Sequence, residues 1–388
     1  MNQTKIIKQS FQVNFDFNLI FTSQLFSIEN TILTEILADN TSLSKGKAIV
    51  VVDQGVIDAH PSLVESILNY FKHHNSSIDI HGSILKIPGG EQSKNNENYI
   101  KSILEQINEF GIDRHSYVIA IGGGAVLDAV GFAAAIAHRG VRLIRVPTTI
   151  LSQNDSGIGV KNGINYFGKK NFVGSFAAPY AVINDDTFLT TLHDRDWRSG
   201  ISEAIKVALI KDASFFEWIE TNTEALSNRD RDIMNTLIYR CADMHMKHIQ
   251  NSGDAFEQGS SRPLDFGHWA AHKLEQLTNY NLRHGEAVAI GIALDSTYSF
   301  LKGHINQSEI ERILNCILSL GFNISDKELN NQTLAGLEEF REHLGGKLTI
   351  MLLESIGTGF EVHDMDKGLV LDSIRYMQNY IEQKKVTQ

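Results

Sequence analysis

Hydrophobic and polar positions repeat with two different periods along this chain. Residues 47–53, Lys47-Ala-Ile-Val-Val-Val-Asp53, form a β-branched run ending on a carboxylate, the pattern of a strand buried on both faces. Residues 62–73 place Leu63, Ile67, Leu68 and Phe71 at helical spacing. Residues 80–87 read as a second strand closed by Pro88-Gly89-Gly90, and residues 95–110 as a second amphipathic helix. Residues 117–121 form a third strand that runs straight into Gly122-Gly123-Gly124, and residues 141–146 form another, stopped by Pro147. Strands alternating with helices predict a parallel, doubly wound sheet.

From about Phe188 the period changes to helical. Residues 197–210, 233–250, 267–276, 285–301 and 308–320 all carry that pattern, and residues 347–353 give the one strong strand signal. The expectation is an α/β domain over residues 1–187, followed by a mostly helical domain over residues 188–388. A length of 388 residues exceeds what one core usually serves, which agrees with two domains. The polar stretch 251–262 is the best candidate for a mobile loop.

Composition narrows the partners. The net charge of -11 argues against nucleic acid, because phosphate-backbone binding needs a basic face; a small anion needs only a local basic pocket. The two cysteines, Cys241 and Cys316, lack any CxxC spacing, so neither a disulfide framework nor a cysteine zinc site is expected. The first 17 residues alternate polar and apolar positions without an apolar h-region, and no apolar run could span a membrane. The expected location is therefore the cytoplasm.

Candidate chemistry lies in both halves. A glycine run between strand and helix lets a backbone approach a pyrophosphate, which then faces a helix N-terminus. Gly122, Gly123 and Gly124 fit that role, with Asp128 one turn on. Asp53 ends an earlier strand, where a carboxylate bonds a ribose hydroxyl pair or else caps a helix. Glu91 and Lys94 follow the next strand. The spacing is not GxGxxG, which points away from an ordinary Rossmann dehydrogenase. In the second half His268 and His272 share a helix face at i, i+4, His284 opens another helix, and Glu203 lies on a third. One carboxylate and two imidazoles make a catalytic zinc set, leaving one histidine for proton transfer. Each histidine taken alone reads more simply as a satisfied polar residue; the cluster reverses that. Arg139, Lys161, Lys170, Lys206 and Lys247 gather around these segments, several in Gly/Asn-rich stretches that suit phosphate. Lys247 lies on an exposed-looking run, residues 245–250.

In this order, GGGAVLDAVGF, HRGVRLIRVPTT, DSGIGVKNGIN, KKN, EAIK, GHWAAH and HGEAVAIG resemble the sugar phosphate cyclases, the dehydroquinate synthase superfamily. The resemblance runs from about Asp53 to His284. It implies NAD, a divalent metal (zinc, or cobalt), and a homodimer. It implies Glu203, His268 and His284 as metal ligands. Asp155, Lys161, Asn171, Lys206, Lys247, His272 and Asp265 would surround the substrate, and Arg139 with Lys161 and Lys170 would face its phosphate. Asp53, Glu91, Lys94, the Gly122–Gly124 turn, Asp128, Thr148, Thr149, Asp155, Lys161 and Lys170 would line the cofactor. Members oxidise a ring hydroxyl with NAD, expel phosphate, return the hydride, open the ring and close a carbocycle by an aldol step.

The subgroup turns on residues 261–268. Dehydroquinate synthases carry arginine seven residues before the first histidine and asparagine three before it; here those positions are Ser261 and Asp265, with Arg262 displaced by one. A carboxylate-bearing substrate wants an arginine fork, whereas aspartate accepts hydrogen bonds from a neutral polyol. The late paired-lysine motif is also missing around Phe340-Arg341-Glu342-His343. RPLDFGHWAAHKLE resembles the 2-epi-5-epi-valiolone synthase branch, which cyclises sedoheptulose 7-phosphate. The alternatives are a dehydroquinate synthase and a metal-dependent polyol dehydrogenase of the glycerol dehydrogenase type.

Overall fold

The computed structural model describes residues 6–38, 46–75, 78–251, 256 and 263–387. Residues 251–262 fall almost wholly outside these, so the expected loop, Ser261 and Arg262 lie outside the described residues.

The first half is a parallel sheet with helices on its faces. Its strands are β1 (Asn18–Thr22), β2 (Gly46–Asp53), β3 (Ile78–Ile80), β4 (Leu85–Ile87), β5 (Tyr117–Gly122), β6 (Arg142–Pro147) and β9 (Ala181–Asp185), in the order β1-β9-β6-β5-β2-β3, with β4 also on β2. Between β6 and β9 an antiparallel hairpin, β7 (Lys161–Tyr166) and β8 (Lys169–Phe176), forms a separate two-stranded sheet. Helices α1 (Ile32–Ala38), α2 (Gln54–Ala59), α3 (Leu63–His73), α4 (Glu97–Glu109) and α5 (Gly124–Ile136) complete this half. The chain enters β2, adds β3 and β4 on one side, then returns through α4 to β5 on the other. That reversal opens a crevice at the carboxyl ends of β2 and β5, where such sheets bind ligands.

Beyond the short 3-10 turn Asp186–Thr191 the chain is helical: α6 (Asp194–Lys211), α7 (Ala213–Thr221), α8 (Thr223–Ser227), α9 (Arg231–Asn251), α10 (His268–Leu277), α11 (His284–Leu301), α12 (Gln307–Ser319), α13 (Ala335–His343) and α14 (Lys367–Thr387). One hairpin, β10 (Ile350–Ser355) with β11 (Thr358–Val362), sits among them. Most apolar packing follows the same division, with Ile150 joining the helical cluster and a small cluster of Ile158, Val182 and Ala242 spanning it. One cluster, including Ile201, Phe216, Leu274, Leu294 and Met377, fills the helical half; two others, built on Val50 and Ile119 and on Val51 and Val118, pack against opposite faces of the sheet.

Several expectations need correction. Residues 80–87 are not one strand: Gly82 turns left-handed (φ +73°) against the Phe110 ring and splits the segment into β3 and β4. Leu68 is exposed on α3, and Tyr70 takes the buried position. The Gly/Asn-rich stretch from Asp155 is no open loop. It is a π-helical turn, Ser152–Ser156, followed by β7, so Lys161 and Lys170 are strand residues.

Candidate active site

The nucleotide side is built from strand ends. Asp53 closes β2 and caps α2, its Oδ1 accepting from Gly55 N at 2.8 Å. The alternative reading of Asp53 as a helix cap is therefore realised; the carboxylate also lies beside Gly89, where a Cβ would come within 2.7 Å of it, and the Asp53 Cβ beside Gly122, where one would come within 3.1 Å. Burial pushes its pKa up, against backbone hydrogen bonds that lower it. Gly123 is the N-cap of α5 and supplies no side-chain cap, so the first amides of that helix stay open to a ligand. A Cβ on Gly124 would stand 2.4 Å from Ser156 Oγ, so this glycine also lets the π-helical turn close over the cleft. Thr148 is buried with Oγ1 unpartnered, and Thr149 bonds Ser152 Oγ at 2.8 Å. Asp128, one turn into α5, pairs with Lys94 Nζ at 2.7 Å.

Arg145, on β6, organises the neighbouring turn and was not singled out by sequence pattern. Fully buried, it donates to the carbonyls of Gly157 (3.0 Å), Gly159 (2.7 Å) and Lys161 (3.0 Å) and to Asn162 Oδ1 (2.6 Å). Burial pulls its pKa down to about 10. The guanidinium thus fixes the path from Asp155 to Lys161.

On the helical side, Glu203 of α6 is fully buried, with His268 Nε2 at 3.7 Å and His284 Nε2 at 3.5 Å from its Oε1. Candidate ligand atoms of the three residues lie within 4.8 Å of one another. Lys206 Nζ rests against Glu203 Oε2 and lies 3.8 Å from Asp155 Oδ1. Burial raises the Glu203 carboxyl, but Lys206 and His284 outweigh it and hold it at about 2; Asp155 is likewise held at about 2, with Lys206 the main opposing charge. The Lys206 ammonium is driven further up by these two carboxylates, so it remains a cation despite burial. His268 is pushed well down by burial and by its cationic neighbours. Its Nδ1 faces the Phe266 carbonyl at 3.1 Å, which can only accept, so the ring proton sits there and Nε2 keeps its lone pair.

His284 is oriented by a residue the sequence reading passed over. Glu275, buried on α10, places Oε2 3.3 Å from His284 Nδ1 and Oε1 2.9 Å from Lys170 Nζ. Burial lowers the His284 imidazole, but Glu275 and Glu203 lift it to about 10. Glu275 stands one further turn along the face that carries His268 and His272, so its spacing could have found it. His245 was also misread: it is buried, with Nδ1 3.0 Å from Asp155 Oδ1. Two glycines set the helix crossing. Gly267 (φ +79°) touches Gly291 of α11 so closely that a Cβ on Gly291 would stand 2.0 Å from Gly267 O. Asp295, one turn further along α11, accepts from Gly267 N (3.0 Å) and Trp269 Nε1 (2.8 Å), the residues on either side of His268.

Polar contacts join the two sides. Lys94 also meets Asn171 Oδ1, Asn171 N donates to Asn165 Oδ1 (2.9 Å), Asn165 Nδ2 to Glu91 Oε2 (2.6 Å), and Lys170 bridges Glu91 (3.4 Å) and Glu275. Of the sequence-nominated residues, His272 lies exposed at the mouth, its ring 5.5 Å from His268 and 6.0 Å from His284. Asp265 ends the short turn Pro263–Asp265 and acts electrostatically on Lys206. Lys161 is exposed at the start of β7. Two nominees are not brought in. Lys247 is exposed and pairs with Asp243 at 2.7 Å. Arg139 follows α5, about 20 Å of helix away from Gly124, at the opposite end of the sheet from the crevice.

Strand-end turns facing a helical carboxylate–imidazole cluster define the class: the fold of the sugar phosphate cyclases. Residues 84–199 match the model of the 3-dehydroquinate synthase N-terminal domain and residues 200–339 that of its C-terminal domain; the chain belongs to this family. The 3-dehydroquinate synthase of Vibrio atlanticus is 35% identical over 343 residues, 86% of this chain and 91% of that protein. The Nitrosospira multiformis synthase is 37% identical over 295 residues, 74% and 79% of the two chains. Among solved structures, the 2-epi-5-epi-valiolone synthase of Streptomyces hygroscopicus subsp. jinggangensis, with NAD+ and Zn2+ bound, superposes with a TM-score of 0.87 at 26% identity, covering 96% of this chain and all of that one. A probable glycerol dehydrogenase from Sinorhizobium meliloti shares the fold alone, with a TM-score of 0.62 at 17% identity over 94% and 96% of the two chains.

Proposed function

We propose that this enzyme converts sedoheptulose 7-phosphate into a seven-carbon cyclitol of the 2-epi-5-epi-valiolone type with release of phosphate, using NAD and a divalent cation. The observation that carries the substrate choice is Asp265. Its charge joins Asp155 and Glu203 around Lys206, a field that repels a substrate carboxylate and accepts hydrogen bonds from hydroxyls. The likeness to a valiolone synthase supports the same choice, while the sequence relatives carry the dehydroquinate synthase name.

The residues fit both groups. Glu203 turns two buried oxygens into this space, Oε2 against Lys206 and Oε1 toward both imidazoles, beside one imidazole that keeps its lone pair and a second steadied by Glu275. A cation held by Glu203, His268 and His284 would replace the His284 proton in balancing the carboxylates. Asp53, the Gly122–Gly124 turn and the open end of α5 suit a dinucleotide, with Thr148, Thr149, Glu91, Lys94 and Asp128 around it. When bound, NAD supplies a reversible hydride acceptor and the cation a Lewis acid next to the oxidised carbon.

The chain's own residues do the rest. Lys206, held protonated, donates to substrate oxygen and cannot serve as a base. Asp155, held ionised and braced by His245, fixes Lys206 and accepts a substrate hydroxyl. His272 at the mouth is placed for proton transfer. Lys161, Lys170 and Asn171 on the β7–β8 hairpin face the phosphate side, where a cation steadies the departing anion.

The test incubates protein, NAD+ and zinc or cobalt with sedoheptulose 7-phosphate, and separately with the carboxylate-bearing precursor of dehydroquinate. Phosphate release from the heptulose phosphate without net NADH is expected, and Asp265→Asn should lower that rate at least tenfold. Release only from the carboxylate-bearing substrate would transfer the enzyme to dehydroquinate synthesis. Steady NADH accumulation would make it a polyol dehydrogenase.

A further inference from the structure

The face of the sheet that looks toward α9 is sealed at one pair of residues and open at the next. Leu19 and Val182, opposite each other on β1 and β9, pack with Ala242 of α9. The next pair on that face is Phe21 and Asn184, and there a cavity of about 480 Å³ opens between the strand ends and α9. Its size suits a small molecule, whose sites run from roughly 300 to 1,000 Å³. In sheet order β9 stands two strands from β5, so this cavity is separate from the nucleotide crevice. Asn235 and Tyr239, one turn apart on α9, line its far wall, and the Tyr239 and Phe21 rings meet at 5.2 Å. Two acceptors of this lining have no donor. Asn184 is 2% exposed; its Nδ2 donates to Gln153 O at 2.8 Å, while its Oδ1 is buried without a partner. Asp186 Oδ2 accepts from Arg231 (3.1 Å) and Asn235 (3.0 Å), while Oδ1 is likewise buried and unpartnered. Buried acceptors are costly unless something donates to them.

We propose that this cavity binds a neutral ring polyol, its hydroxyls donating to Asn184 Oδ1 and Asp186 Oδ1 and its C–H face lying on Phe21 and Tyr239. Charge selects that class. Asp186 alone is charged among the lining residues, and Arg231 already balances it. An ammonium would add a second positive charge there, and a phosphate or carboxylate would bring acceptors to acceptors. A polyol brings donors without charge, and an aromatic pair gives its apolar face a surface to cover. The site also touches the catalytic machinery from outside. Gln153, whose carbonyl Asn184 holds, belongs to the π-helical turn Ser152–Ser156 that carries Asp155. Its amide in turn donates to the carbonyls of Pro147 (3.1 Å) and Asp185 (3.0 Å), tying that turn to the ends of β6 and β9. An occupant that braces Asn184 therefore braces the turn beneath the substrate. None of this depends on which sugar phosphate the enzyme cyclises.

The test titrates myo-inositol into the full chain loaded with NAD+ and zinc, and reads binding by saturation-transfer NMR. Saturable binding in the millimolar range is expected, with Kd raised at least tenfold by Tyr239→Ala and by Asn184→Leu. Tyr239 is 57% exposed, so its removal leaves the fold intact, as circular dichroism should show. Should Asn184→Leu fail to fold, Tyr239→Ala decides alone. Absence of saturable binding overturns the proposal. So does binding that survives Tyr239→Ala undiminished, which would place the polyol in the nucleotide crevice. Cyclohexylamine, a ring of the same size bearing an ammonium, should bind at least tenfold more weakly than myo-inositol. Equal or tighter binding of the amine would overturn the neutral class and make this a cation site.

Discussion

Asp295 lies on α11 with no solvent contact, and burial lifts its pKa to about 7 against the lowering effect of the Trp269 and Gly267 hydrogen bonds. A carboxyl raised above its unfolded value of 3.8 binds more protons in the folded state between those two pH values. Its contribution to stability is therefore full below about pH 4 and is lost as the pH rises to about 7. Urea unfolding at pH 5 and pH 8 should show this slope in the parent and a flatter one in Asp295→Asn, a difference of up to about 3 kcal/mol. Equal slopes would remove Asp295 as a titrating group. At this scale the residues with a repeat or motif behind them were legible: His268 and His272 at i, i+4, Glu203 in its motif, and the triple glycine. Glu275 was available by the same arithmetic. His245 and Arg145 were not, because the first sits in a polar helical run and the second in a strand whose pattern demands only burial. Their roles come from partners ninety and twelve residues away.

The elements that position the site meet through glycine. The α10–α11 crossing brings the Gly267 backbone against Gly291, and on these helices ride two of the three candidate metal ligands. Gly291→Ala would force a methyl into the Gly267 carbonyl, and backbone cannot step aside as a side chain can. A loss of about 3 kcal/mol in unfolding free energy is expected, with weaker retention of divalent metal in equilibrium dialysis. An alanine variant as stable as the parent would show the crossing to be looser than this spacing demands. Long elements with strong periodicity, such as α6, α9, α11 and β5, were legible within a few residues. The β7–β8 hairpin was not. Its sequence is rich in glycine, asparagine and lysine, and its shape is imposed by Arg145 and by Asn162 lying against Gly131 of α5. β1 and β9 were missed for a related reason: short parallel strands depend on neighbours that are distant in sequence.

Across the whole molecule, the period changes near Phe188 and most apolar packing changes with it, although Ile150 joins the helical core and Ile158 and Val182 cluster with Ala242. What pattern could not convey is how the two halves touch at the cleft. Lys170, on the hairpin, joins Glu91 of the first half to Glu275 of the second. Lys170→Met would leave two carboxylates facing each other. Amide exchange over residues 161–176 should then rise about tenfold, while global unfolding changes by no more than about 1 kcal/mol. Unchanged exchange would mean that this bridge restrains nothing. The polar character of this bridge also governs how the molecule yields to force. Lys170 and its two carboxylates form a bridge that water can solvate if it parts, whereas elsewhere the halves share apolar packing: Ile150 belongs to the helical core, and Ile158 and Val182 cluster with Ala242. Parting at the bridge costs ion pairs, while parting at that seam would expose apolar surface, so compliance resides on the charged side and the seam serves as the pivot. Any breathing that admits a sugar phosphate and lets a carbocycle leave should open at the Lys170 side.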